Sequence, residues 1–275
     1  MTRSHRLEVD GGLHLHLVDH DHGPHAAPPL VLVHGFMGST QSWGDLPARL
    51  SRHRRVIVPD LPGHGRSDRP GSPDRYGVLE VAGALARMAE GLRLGAADWL
   101  GYSMGGRIVL AGAAEGLLDP RRLILESASP GLETEAERAE RRAADERLAR
   151  RLEVEGLAPF VDDWLALPLF ATLSPDARER ARRLRLANDA HALAACLRGG
   201  GTGVQRSYWR DLPQVEVPTL VLTGARDPKF TRLGHRMATA LPFARSEGVA
   251  DAGHAVHAEA PDAWARAVTG WVGSD

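Results

Sequence analysis

Gly101-Tyr102-Ser103-Met104-Gly105-Gly106-Arg107 follows directly on the apolar run Ala97 to Leu100 and opens the helical stretch Met104 to Glu115. A strand that turns this sharply into a helix brings the two backbones together, so glycines at 101 and 105 remove the side chains that would collide. Ser103 then sits at the apex, strained, with its hydroxyl projecting out of the sheet. It is the leading catalytic candidate. With 30 glycines in the chain a G-x-S-x-G spacing is weak by itself, and it is the strand before it and the helix after it that give it meaning. Arg107 lies four residues on, on the same helix face one turn further in. Spacing leaves two roles open for it: a salt bridge to a core carboxylate, or an anion clamp beside the serine.

Outward from the elbow, short apolar runs alternate with helical patterns. Leu30 to His34, Arg55 to Pro59, Ala97 to Tyr102, Leu123 to Glu126 and Pro218 to Thr223 have the form of strands buried on both faces. Val78, Val81, Leu85, Met88 and Leu92 recur at helical spacing and stop before Gly95, and Trp43, Leu46 and Leu50 make a shorter stripe. This alternation predicts an α/β architecture with a mostly parallel, doubly wound sheet. The pattern breaks after Ser129-Pro130-Gly131, where about 75 residues carry helices but no strand. Residues 129–206 are therefore expected to be a helical cap inserted into a core of residues 1–128 and 207–275. Within it Glu133 to Glu155 reads as a solvated, charge-dense helix with Glu137/Arg141 and Glu146/Arg150 pairs, and Ser174-Pro175 starts another. Arg198 to Gly203 reads as a flexible glycine-rich link.

A serine hydroxyl needs a base, and the base needs an orienting carboxylate. Asp227 stands on the loop after the Pro218 to Thr223 strand, and His254 follows in Asp251-Ala252-Gly253-His254. Asp251 is a rival acid, but its nearness to His254 suits a turn. His257, His34 and His64 are the other histidines of interest, the last two in glycine turns where a structural role dominates. For a developing oxyanion the backbone N–H groups of Phe36 and Met104 are the best donor pair. Met37 and Trp43 are expected to pack.

Composition narrows the partners. The chain has 275 residues, 43% hydrophobic and 25% charged, with a formal net charge of -1, so nothing in its overall balance suggests nucleic acid or an acidic membrane. Cys196 is the only cysteine, which excludes an intrachain disulfide and fits a reducing compartment. The N-terminus lacks an apolar signal-type run and no segment reaches transmembrane length, so the expected location is cytoplasmic, as a monomer or small homo-oligomer. His14 and His16 alternate with Leu13, Leu15 and Leu17, which makes them outward positions of a strand rather than metal ligands.

These residues resemble the α/β-hydrolase family, and within it the pyruvate-eliminating synthases of menaquinone biosynthesis. GYSMGGR at 101–107, ESASPGL at 126–132, ERAERR at 137–142, YWRDL at 208–212, DPKF at 227–230 and AGHAVH at 252–257 carry the resemblance over nearly the whole chain. It implies a lyase that eliminates pyruvate from 2-succinyl-5-enolpyruvyl-6-hydroxy-3-cyclohexene-1-carboxylate without metal or organic cofactor. Ser103, Asp227 and His254 would form the triad, and Arg107, Arg141 and Arg185, with Tyr102 and Trp164, would bind the polycarboxylate substrate. Two other classes share these features, a serine hydrolase of small esters and a noncatalytic ligand-binding homologue. The intact Ser, Asp and His set disfavours the second.

Overall fold

A computed structural model describes residues 1–23 and 25–273. The chain opens with a hairpin, β1 (Thr2–Asp10) and β2 (Leu13–His20), then β3 (Leu30–Val33), α1 (Leu46–Leu50), β4 (Val56–Pro59), α2 (Val78–Gly91), β5 (Ala97–Tyr102), α3 (Met104–Ala114) and β6 (Pro120–Glu126). Four helices follow without an intervening strand: α4 (Glu135–Glu155), α5 (Leu157–Ala166), α6 (Pro175–Leu186) and α7 (Ala190–Gly200). The chain then resumes with β7 (Thr219–Gly224), α8 (Pro228–Ala240), β8 (Ala244–Val249), α9 (Val256–Glu259) and α10 (Pro261–Val272).

Among the described residues all eight strands join one sheet in the order β1-β2-β4-β3-β5-β6-β7-β8. The β1–β2 and β2–β4 pairings are antiparallel and the rest parallel. Strand alternation divides the core. Val31, Val33 and Ile57 point to the face covered by α2, α3 and α8, while Leu30, Leu32, Val56 and Val58 point to the face covered by α1 and α10. Every residue of β3, β4, β5 and β7 is buried, which explains their continuous apolar runs.

β3 and β5 are neighbours, but the chain leaves β3 toward β4 and leaves β5 toward β6. The loops after β3 and β5 therefore diverge, and a crevice opens at the carboxyl ends of these strands, where parallel sheets hold their ligands. Helices α4 to α7 bring an apolar cluster of their own, including Leu152, Phe160, Leu193 and Leu197, into which Met37 from the loop after β3 inserts. That contact sets the helices beside the crevice.

Four local expectations change. The segment contains α5 ahead of the helix at Ser174-Pro175, whose cap accepts the Ala177 amide at 3.2 Å. Glu137 does not pair with Arg141; its carboxylate accepts the Thr134 amide and hydroxyl, both at 2.8 Å, in a capping box that starts α4. Arg141 turns to Asp145 instead, whereas the Glu146–Arg150 pair forms at 2.8 Å. His16 is buried, with Nδ1 2.8 Å from Asp60, because β2 is an inner strand flanked by β1 and β4.

Arg198 to Gly203 is no link. Gly199 and Gly200 close α7 against Pro73 and Tyr76, and a Cβ at Gly199 would overlap the Pro73 carbonyl oxygen. Gly199→Ala should therefore cost about 1–3 kcal/mol through overpacking. Gly248, with no atom near its Cβ position, should accept alanine with little change. Denaturant melts of the two variants test this, and equal stability would show that α7 adjusts around the added methyl.

Candidate active site

The turn from β5 to α3 places Ser103 at φ 51°, ψ -108°, a positive φ that a serine adopts only when its surroundings enforce it. They do so from both sides. The Ser103 amide donates to the Glu126 carbonyl at 2.8 Å, its carbonyl accepts from the Arg107 amide at 3.1 Å, and a Cβ at Gly105 would run into the Val33 carbonyl. Strand, helix and the end of β3 thus meet at a point that only glycine backbone fits.

β7 ends at Gly224, and Asp227 caps α8 three residues later. One carboxylate oxygen accepts the Phe230 amide at 3.1 Å, and the other lies 3.0 Å from His254 Nδ1. His254 Nε2 is 3.3 Å from Ser103 Oγ, a loose contact of the kind that unliganded sites show. Burial alone would push the Asp227 carboxyl up; His254, the Phe230 amide and Lys229 outweigh it and hold the group below the usual carboxylate range. Phe230 lies edge-on to the His254 ring at 4.5 Å and shields it. Asp251 is apart from this chain of bonds, 85% exposed and paired with Arg226.

One supporting group escaped the sequence reading. Glu259 accepts the amides of Gly253 and Ala255, at 2.9 and 3.1 Å, and so clamps the backbone on both sides of His254. A carboxylate five residues past the histidine was its only signal. Of the turn histidines, His34 Nε2 accepts the Leu61 amide at 3.0 Å, and burial pushes His64 down to about 3, so both serve the fold as neutral rings. Phe36 lies on the loop after β3 and Met104 is the first residue of α3, and neither backbone amide has a protein acceptor among the described residues.

Ser103, His254 and Asp227 border a cavity of about 530 Å³ beneath the helices, together with Phe36, Met104, Arg107, Arg141 and Trp164. Arg107 is buried there, and among the described residues no carboxylate lies within 4.0 Å of it. Its guanidinium donates to neutral acceptors, Gln205 Oε1 at 2.6 Å and the Gly200 carbonyl at 2.9 Å. Burial lowers its pKa to about 10, which leaves it charged at neutral pH. Arg141 is half-exposed and spends only Nε on Asp145, at 2.8 Å. Trp164 stacks on Phe160 and meets Phe36 edge-on at 5.4 Å. Tyr102 and Arg185 are not brought to this cavity. They border a second one, of about 310 Å³, which shares Phe36 with the first.

Residues 28–261 match the alpha/beta hydrolase fold family. The chain belongs to that family. A Bacillus subtilis relative, provisionally named 2-succinyl-6-hydroxy-2,4-cyclohexadiene-1-carboxylate synthase, is 39% identical over 90% of this chain and 92% of its own. The Salmonella paratyphi A protein of that synthase name is 34% identical over 88% of this chain and 92% of its own. Among solved structures, MenH from S. aureus superposes with a TM-score of 0.89 at 32% identity, covering 94% of this chain and 97% of that one. The chain is thus an α/β-hydrolase-fold protein whose relatives include these synthases. No helix of the described residues is long and apolar enough to cross a membrane.

The depressed Asp227 carboxyl gives the site a measurable acid limb. Its contribution to stability is complete above the ordinary carboxylate pKa and is lost as pH falls through the lower folded value. The stability difference between wild type and Asp227→Asn, from denaturant melts, should therefore be constant near neutrality and shrink toward pH ~3. A difference that stays constant over the whole range would place the Asp227 titration elsewhere.

Proposed function

We propose that this chain is a cytoplasmic lyase of menaquinone biosynthesis. In this reading it eliminates pyruvate from 2-succinyl-5-enolpyruvyl-6-hydroxy-3-cyclohexene-1-carboxylate to give 2-succinyl-6-hydroxy-2,4-cyclohexadiene-1-carboxylate, with its own side chains and no cofactor. The observation that carries it is Arg107: a buried guanidinium without a carboxylate partner among the described residues, on the wall that also holds Ser103 and His254. A buried cation bonded only to neutral acceptors favours an anionic ligand. A substrate with three carboxylates supplies the charge, and the names of the relatives point to the same chemistry.

In this mechanism Ser103 takes the proton alpha to the succinyl ketone while passing its own to His254 Nε2, and Asp227 balances the imidazolium through Nδ1. The electron pair of the broken C–H bond forms an enolate, whose oxygen the Phe36 and Met104 amides receive. Those electrons then move through the ring, the C–O bond to the enolpyruvyl group breaks, and pyruvate leaves after its enolate regains a proton. Arg107 and Arg141 hold carboxylates in the serine cavity, Trp164 gives the ring an apolar wall, and Arg185 with Tyr102 binds from the second cavity. Residues 129–206 act as a cap that excludes water from the enolate.

Ser103→Ala should lower pyruvate release by about 10²–10⁴-fold, measured with the natural substrate in a lactate dehydrogenase-coupled assay. Small esters should be poor substrates. Rapid Ser103-dependent ester cleavage without Ser103-dependent pyruvate release would replace this reading with a carboxylesterase, which the same serine, histidine and amides could serve.

Removal of either cation should register on the tricarboxylate alone. Arg107→Ala and Arg141→Ala should each lose about 1.5–3 kcal/mol in kcat/KM. Unchanged kinetics in folded variants would confine both arginines to structural roles.

A further inference from the structure

The second cavity contains an arrangement that the serine mechanism does not use. Glu126, the last residue of β6, is fully buried, and its carboxylate receives three N–H groups. The His257 amide and ring Nδ1 meet Oε1 at 3.1 and 2.7 Å, and the Trp264 indole meets Oε2 at 2.8 Å. Amide and indole N–H groups can only donate, so this carboxylate acts as an acceptor and the hydrogen of the His257 ring resides on Nδ1. In the uncharged tautomer this leaves the ring lone pair on Nε2. His257 is only 6% exposed, its Nε2 has no hydrogen-bond partner among the described residues, and the residue forms part of the cavity wall.

Arg185 belongs to the same wall. Its guanidinium rests over the Phe170 ring at 5.0 Å, its buried Nε has no acceptor, and among the described residues no carboxylate lies within 4.0 Å of it. The Tyr102 hydroxyl, which burial keeps protonated, has no hydrogen-bond partner among the described residues, and its ring packs edge-on to His257 at 4.6 Å. An Arg185 Nε buried without an acceptor is costly, and the His257 Nε2 that borders the cavity is open to a donor. Together they outline the ligand that would relieve them, an anionic group for Arg185 and a hydroxyl for His257.

We infer that the second cavity is a subsite for a hydroxy-carboxylate, in which Arg185 donates to the carboxylate and His257 Nε2 accepts the hydrogen of the hydroxyl. Glu126 is the positioning residue, since its carboxylate holds His257 in the acceptor tautomer. The inference rests on the proposed synthase function only for its natural ligand, whose ring bears a hydroxyl on the carbon next to a carboxylate.

Binding of simple ring acids, read without turnover, tests it. The full chain with ¹⁵N-labelled histidine is titrated with 2-hydroxycyclohexane-1-carboxylate, cis and trans, and with cyclohexanecarboxylate. One hydroxy acid should shift the His257 Nε2 resonance and bind about 3- to 10-fold more tightly than the acid without the hydroxyl. His257→Phe should erase that preference while carboxylate binding remains, and His257→Gln, which retains an acceptor at the same reach, should restore part of it. Arg185→Ala should weaken both acids about tenfold or more. Equal affinity for the acids in wild type, a shift confined to His254, or no binding at millimolar concentrations would each overturn the subsite, even if His257→Phe failed to fold. Absence of pyruvate release with intact hydroxy-acid binding would instead remove the synthase reading and leave the subsite standing.

Discussion

The contact between the start of α3 and the carboxyl end of β3 is the constraint on which the site depends. No side chain fits between Gly105 and the Val33 carbonyl, so the helix can seat itself directly on the sheet. That close approach holds Ser103 at its positive φ and points its hydroxyl upward from the strand ends. Phe36 follows β3 and Met104 begins α3, and both border the serine cavity. Backbone strain at one residue is thus sustained by hydrogen bonds from β6 and α3.

Charge is handled differently in the two halves of the molecule. On the outer surface of α4, arginines and glutamates neutralise each other, as in the Glu146–Arg150 and Arg151–Glu155 pairs. Such exposed pairs contribute little to stability. Under the helices the pattern reverses. Arg107 has only neutral acceptors, Arg141 commits a single nitrogen, and Arg185 lies on an aromatic ring. Keeping Arg107 buried with only neutral acceptors among the described residues costs stability, which makes sense where a ligand brings the missing charge.

Aromatic and imidazole rings divide the space above the sheet. Phe36 borders both cavities, while Tyr102 touches His254 on one side of its ring contacts and His257 on the other, at 5.5 and 4.6 Å. The two histidines are three residues apart, His254 in the loop before α9 and His257 within that helix, and each is oriented at Nδ1 by its own buried carboxylate, Asp227 or Glu126. They differ in what Nε2 meets: a serine hydroxyl in one case and open cavity in the other.

Local sequence determined the sheet strands around the site, the elbow, and the helical break between β6 and β7, because apolar runs, glycine spacing and caps act over a few residues. Ser103, Asp227 and His254 were legible as candidates for the same reason, each lying just past a strand or in a glycine turn. Tertiary structure decided what they and the arginines face. Arg141 chose Asp145 over Glu137 because Thr134 had already claimed Glu137 as a cap. Gly199 and Gly200 became a packed helix end because Pro73 and Tyr76 press against them. Arg185 and Tyr102 line a separate cavity from Arg107, and Glu126 meets a histidine 131 residues away. Long-range partners of this kind leave no periodic trace in the chain, since they are selected by which strands lie side by side and which loops the sheet brings to one edge.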